Sequence, residues 1–272
     1  MLENPLYGCY TQVISSRLVN IASGSGGNCS LLTLSGRNFL IDCGVSHRRM
    51  SAVLAEQGLK PQDIEAVLLT HLHSDHVSAL PAWYRLSDLR FVATNYTLKS
   101  IVEHLGVKQE IGRRFFGFNP GEAYTSGDVL VKPFVVSHDA PETVGLVFES
   151  CDARFVYLTD VGEAESDFSA HCSGADLLFL EANHEPEMVL SSSYPTFLKR
   201  RILGPRGHLS NEQSLSFLTG LHELPKKVVF GHLSRNNNAP EKLEERIGEY
   251  GIAGDVSEIV IANQFDASKI DF

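Results

Sequence analysis

Thr70-His71-Leu72-His73-Ser74-Asp75-His76 places three imidazoles and a carboxylate within one short stretch of chain. On an extended strand tip, residues two apart face the same side, so His71 and His73 can grip one cation together. A turn after them lets Asp75 and His76 point at a neighbouring position. Neutral imidazole and carboxylate suit Zn²⁺, and Mn²⁺ or Fe²⁺ accept the same donors. Three more ligand-type residues follow, each after an apolar run. They are His138 in Val136-Ser137-His138-Asp139-Ala140, Asp160 in Leu158-Thr159-Asp160-Val161-Gly162, and His232 in Phe230-Gly231-His232-Leu233-Ser234. A solvated loop with a chance histidine cluster does not account for that ordered series. Two divalent ions about 3.5–4 Å apart lower the pKa of a shared water and neutralise charge on a phosphoryl or acyl oxygen.

The elements that must position these residues can be read from periodicity and turn chemistry. Gln12–Ala22, Ser30–Leu34 and Asn38–Ile41 read as an antiparallel meander with Gly-rich turns. Ser46–Gln57 reads as a helix closed by Gly58, and Ile64–Thr70 as a buried strand that delivers the histidine cluster. Helices are expected near Ala79–Leu86, Asn95–Leu105, Glu165–Cys172, Thr196–Leu203, Ser210–Gly220 and Pro240–Glu249. Strands are expected at Phe91–Ala93, Val129–Val136, Val144–Glu149, Phe155–Thr159, Asp176–Glu181, Val228–Phe230 and Glu258–Ala262. Ser210 with Gln213 is a capping-box signature. His138, Asp160 and His232 thus fall at the C-terminal ends of strands.

Composition bounds the rest. The 272 residues are 43% hydrophobic and 21% charged, which describes a globular chain and excludes disordered, collagen-like and disulfide-dense classes. Strands alternate with single helices, with no repeat and no Pro/Gly/Ser-rich linker, so one α/β domain over 1–272 is expected. No apolar run approaches the roughly 18 residues of a membrane span, and no membrane partner is expected. The start, MLENPLYGCYTQ, lacks the basic and apolar regions of a secretory signal. Cys9, Cys29, Cys43, Cys151 and Cys172 are odd in number and scattered, which predicts reduced thiols and a cytoplasmic location. Lys+Arg 23 against Asp+Glu 33 gives −10, so any polyanion must be held by a local positive field.

The ordered set His71, His73, Asp75, His76, His138, Asp160, His232 resembles the metallo-β-lactamase-fold hydrolases, roughly from Asn20 to the end of the chain. A finer likeness lies in Gly24-Ser25-Gly26-Gly27-Asn28-Cys29, Leu40-Ile41-Asp42-Cys43-Gly44, Ser137-His138-Asp139-Ala140, Glu181-Ala182-Asn183-His184, Tyr194-Pro195 and Gly207-His208-Leu209-Ser210-Asn211. These segments are similar to the YycJ/WalJ (VicX) group of the RNase Z-like branch, to which exonuclease action on DNA is attributed. The resemblance implies a four-layer αβ/βα sandwich, two mixed sheets with helices outside and the metal site at one edge. It implies two divalent ions, zinc foremost and manganese or iron as alternatives. His71, His73 and His138 would hold the first, Asp75, His76 and His232 the second, with Asp160 bridging. Asp42 would fix the tautomer of a ligand imidazole. Related enzymes keep a Glu–His proton donor between the last two metal motifs, which implies His208 as general acid oriented by Glu181. Asn28 and His184 are candidates for the surroundings of the metals or substrate, and Lys199, Arg201 and Arg206 for phosphate contacts. His47, His104, His171 and His222 read as surface or packing residues. In one place the chain departs from the group's pattern: Gly26 stands where a second serine is expected, removing any hydroxyl contact from that position.

Spacing separates the relatives. The interval from Asp160 to His232 is too short for the extra domain of the β-CASP nucleases, and no Gly/Pro-rich arm of the RNase Z type is visible. Ser74 and the absent glutamate argue against di-iron flavoprotein redox chemistry. His76 in place of arginine, with no metal-site cysteine, argues against one class of true β-lactamases. The expected function is a two-metal phosphodiesterase, foremost a DNA exonuclease using a metal-bridging hydroxide, with Asp75, His208 and Glu181 catalytic and DNA favoured over RNA. The alternatives are a hydrolase of a small molecule (cyclic phosphodiester, thioester or lactam) and a regulatory protein with a vestigial site.

Overall fold

The computed structural model describes residues 16–164, 166–264 and 266–272. The expected start of the first strand at Gln12 and of one helix at Glu165 lies outside the described residues, as does Cys9. Two seven-stranded sheets organise the chain. The first runs in the order β14-β1-β2-β3-β4-β5-β6, with β1 Arg17–Ala22, β2 Cys29–Leu34, β3 Arg37–Ile41, β4 Ile64–Leu68, β5 Phe91–Thr94, β6 Phe115–Phe118 and β14 Ser268–Asp271. The second runs β13-β12-β11-β10-β9-β8-β7, with β7 Tyr124–Ser126, β8 Val129–Val135, β9 Val144–Glu149, β10 Arg154–Leu158, β11 Leu177–Glu181, β12 Lys227–Gly231 and β13 Glu258–Ile261. Each sheet is antiparallel at one end and parallel at the other; the change comes at β3/β4 and at β10/β11. The sheets are therefore mixed, as expected.

Three apolar cores separate four layers. Between the sheets, Leu32, Phe39, Leu68, Phe148, Tyr157 and Phe179 interdigitate, all essentially without solvent contact. Outside the first sheet lie α1 (His47–Glu56), α3 (Leu80–Leu86) and α4 (Asn95–Leu105), which bury Leu54, Trp83 and Val102 against it; the short α2 (Ser74–Val77) carries part of the histidine cluster. Outside the second sheet lie α5 (Ser166–Cys172), α8 (Asn211–Thr219) and α9 (Pro240–Tyr250), which bury Cys172, Leu215 and Leu243. Helices α6 (Pro186–Ser191) and α7 (Thr196–Ile202) sit between β11 and α8 in the chain. Local chemistry sets the helix ends. Thr94 accepts a hydrogen bond from Thr97 N at the start of α4, and left-handed Gly106 ends it. Ser210 and Gln213 form the expected capping box on α8. The four described cysteines are free thiols, and no helix among the described residues is long and apolar enough to cross a membrane.

Several short elements carry no strong periodicity and were absent from the sequence expectation: β6, β7, β14, α2 and α6. Of β7 only Ser126 is buried, and of β14 only Ile270. Such segments lack the alternation that reports a strand.

Candidate metal centre

Backbone hydrogen bonds lock three loops together at the edge of the first sheet. Asn28 N donates to Asp75 O (2.7 Å), Cys43 N to His76 O (2.8 Å) and Gly44 N to Asn28 O (2.9 Å). A Cβ on Gly44 would lie 1.7 Å from Asp75 O, so only glycine allows this approach. Inside the lock, His76 Nδ1 donates to Asp42 Oδ2 (2.7 Å), and Asp42 Oδ1 accepts from Thr70 N (2.9 Å). That fixes the His76 tautomer and leaves Nε2 facing Asp160 Oδ2 at 3.2 Å. Asn28 Nδ2 donates to Asp75 Oδ2 (3.1 Å) and lies 2.9 Å from His76 Nε2. Asp42 and Asn28 thus both lie against His76.

The second sheet supplies the opposing wall. His138 Nδ1 donates to Gly207 O (3.0 Å). Glu181, fully buried at the end of β11, accepts at Oε1 from both His232 Nδ1 (2.7 Å) and His208 Nδ1 (2.9 Å). Its Oε2 accepts from Val161 N (3.0 Å) and Leu209 N (3.1 Å). The expected Glu181–His208 contact is therefore present, and a second contact, to His232, joins it. Asp42, Asp160 and His232 all have left-handed backbones, with φ 61°, 59° and 58°. Each such residue costs on the order of 1–3 kcal/mol. All three lie just past the C-terminal ends of strands, where that strain bends the chain across the sheet edge.

The donor set fits bound metal. His71 Nδ1 lies 3.0 Å from Thr70 Oγ1, so with these hydrogen bonds made His71, His76, His138, His208 and His232 each have Nε2 left over. His71 Nε2, His232 Nε2 and Asp160 Oδ2 are buried and make no hydrogen bond. Orphaned buried polar atoms are costly unless something coordinates them. His138 Nε2 lies 3.2 Å from His73 Nδ1. Two lone pairs that close repel, yet about 3.3 Å is the edge of a tetrahedron with metal–nitrogen bonds of about 2.0–2.1 Å. Ligand atoms converge within 4.8 Å of one another in His71/His73/His138, in Asp75/His76/His232 and in His71/His76/Asp160. Electrostatics agrees. Burial alone would raise Asp75 and Asp160, but His232 and His76 beside them hold both carboxyls well below the usual range. Burial likewise opposes charge on His232, and Asp160, Asp75 and Glu181 overcome it, raising His232 to about 10. Burial pushes His71, His73 and His138 the other way, towards the neutral form whose lone pair a cation needs.

The sites opens into a cavity of about 350 Å³ lined by Asp75, Asp160, His208, His232, Tyr194 and Arg201 among others. Two features there were missed in the sequence. Asp139 Oδ1 lies 3.1 Å from His73 Nε2, and Arg201 Nε donates to Asp139 Oδ2. Asp139 sits inside the Ser137-His138-Asp139-Ala140 motif, which was the available signal; Arg201 was expected at a phosphate, and its pairing with Asp139 had no signal. The three cations expected at phosphates each have a partner within the chain: Lys199 Nζ donates to Leu190 O (2.6 Å), Arg206 Nε to His138 O (3.2 Å), and Arg201 to Asp139. His184 is buried beside this region without lining the cavity, and burial pushes it down to about 4. At Gly26 a Cβ would meet Gln264 Nε2 at 2.0 Å, so Gln264 occupies the place of the expected serine side chain.

Comparison with known proteins agrees with this architecture. The beta-lactamase superfamily domain matches residues 37–233. Exodeoxyribonuclease WalJ of Streptococcus pneumoniae serotype 2 is 36% identical over 224 residues, covering 81% of this chain and 82% of that protein. Exodeoxyribonuclease YycJ of Bacillus anthracis is 33% identical over 222 residues, covering 81% and 83%. The crystal structure of Zn²⁺-bound PqqB from Methylobacterium extorquens superposes with a TM-score of 0.73 at 18% identity, over 94% of this chain and 100% of that one, a likeness of fold. With its matched domain, its two mixed sheets and its identity to WalJ and YycJ, the chain belongs to the beta-lactamase superfamily and, within it, to the YycJ/WalJ group.

Proposed function

We propose that the chain is a two-metal phosphodiesterase that removes nucleotides from DNA ends. The observation that carries the reading is His208 on the cavity wall, its Nδ1 tied to buried Glu181 beside His232. With Nδ1–H donated to the carboxylate, Nε2 is the ring nitrogen left to pass a proton to a leaving oxygen. An alkoxide leaving group needs that proton, and such general acid catalysis is typically worth about 10²–10⁴-fold. His71, His73 and His138 would hold one divalent ion and Asp75, His76 and His232 another, with Asp160 between them. Zinc, manganese or iron in those positions would activate water and neutralise phosphodiester charge. The chain's own part is to hold the imidazoles in one tautomer through Asp42, Gly207 and Glu181, and to supply the proton. The likeness to the exodeoxyribonucleases WalJ and YycJ supports DNA as the substrate. The test is a panel of end-labelled DNA, end-labelled RNA and bis-p-nitrophenyl phosphate on metal-reconstituted protein. Release of nucleotides from DNA ends, faster than from RNA, is expected. Turnover of the small diester with no cleavage of DNA would replace this reading with a small-molecule hydrolase.

A further inference from the structure

Helix α7 forms one wall of the cavity and carries an unused surface beyond its rim. Leu198, Arg201 and Ile202 line the cavity. At about 100° per residue, the order around the helix from the cavity outwards is Ile202, Leu198, Arg201, Phe197, Arg200. Phe197 is 72% exposed, the most exposed large hydrophobic side chain among the described residues. Nothing in its own fold accounts for a ring in water there. The guanidinium of Arg200 beside it is exposed and makes no hydrogen bond or ion pair with the described residues. Leu190, on the preceding helix, is also exposed. An aromatic ring followed by a free guanidinium, leading away from a cleft that holds Asp75, Asp160 and His208, matches a polyanion with exposed flat faces. Paired bases hide those faces inside a stack, whereas a single strand offers them.

Building on the proposed nuclease function, we infer that α7 is a binding platform for the unpaired end of a nucleic-acid strand, with Phe197 stacking on a base and Arg200 meeting a phosphate. In a chain of net charge −10 this strip supplies local positive charge that the whole molecule lacks. Arg201, at the rim, stays with Asp139 and marks where the strip passes into the cleft.

The test uses the metal-reconstituted protein and single-stranded oligodeoxynucleotides with phosphorothioate-blocked ends, carrying 2-aminopurine near one end. Wild type should quench the probe on binding. F197A should lose the quench and weaken binding by about 5- to 150-fold, the range for loss of one stacked base. F197W should restore both, which separates stacking from folding. R200E should weaken binding across all sequences and lower the salt dependence by about one phosphate contact. Bis-p-nitrophenyl phosphate, too short to reach Phe197, should be turned over by F197A at the wild-type rate. DNA cleavage with F197A binding as wild type overturns this inference alone. So does a wild-type dimer that F197A converts to monomer in sedimentation, because a second copy would then cover the ring. Failure of the wild type both to bind and to cleave any nucleic acid overturns the proposed function and this inference with it.

Discussion

The inner and outer flanks of the metal cluster orient their imidazoles in opposite ways. On the inner flank, Asp42 and Glu181 are wholly buried; Asp42 is pinned by one backbone N–H group and His76, Glu181 by two backbone N–H groups and by His208 and His232. On the outer flank, Asp139 is 27% exposed and is held by Arg201, itself 49% exposed. A carboxylate fixed by backbone donors has little freedom left to lose when a ligand arrives. A half-exposed ion pair is screened by water and contributes only about 0–1 kcal/mol. The comparison teaches that the fold commits its rigid contacts to His76, His208 and His232, and leaves His73, beside the cleft mouth, on a softer support. Burial also sets the electrostatics. Desolvation alone would raise Glu181, but His208 and His232 outweigh it and bring it to about 2, so it stays ionised through ordinary pH.

The largest effect should come from residues shared by both flanks. Asp75→Ala and Asp160→Ala are each expected to abolish hydrolysis while circular dichroism stays native. Elemental analysis should show metal lost. The cost should far exceed the 10–100-fold typical of an orienting partner. Normal turnover in either variant would remove that residue from the centre. His208→Ala comes next: a loss of about 10²–10⁴-fold on DNA, with metal content unchanged and a much smaller loss on a nitrophenyl diester, whose leaving group needs no proton. Equal losses on both substrates would make His208 a positioning group. The smallest effects sharpen the contrast between flanks directly. Glu181→Gln should lower metal affinity by about 10–100-fold, whereas Asp139→Asn should change it by less than tenfold. Competition with a chelator measures both, and a larger effect at Asp139 would reverse the ranking.

Much of the centre was legible because each ligand-type residue is marked locally. An apolar run that ends in histidine or aspartate reports a strand and the residue at its tip together, and this located His138, Asp160 and His232. The close spacing of His71, His73, Asp75 and His76 needs no tertiary information. Elements with few buried residues were illegible for the same reason, as β7 and β14 show. Leu190 and Phe197 illustrate another limit. An exposed apolar residue in a short helix reads like any core residue until its burial is known.

The sequence by itself determined which side chains stand at strand ends, the α/β class and the order in which the site is assembled, because hydrophobic periodicity and residue type are local properties. Only the tertiary structure decided which atoms meet. Glu181 serves His208 and His232 at once, although they lie 27 and 51 positions away. Arg201 reaches Asp139 across 62 positions. Lys199 and Arg206 turn to carbonyl groups, and Arg200 alone of that basic run has no side-chain partner among the described residues. Those pairings depend on how two sheets stack and on three left-handed residues at their edges, and no local pattern in the chain encodes either.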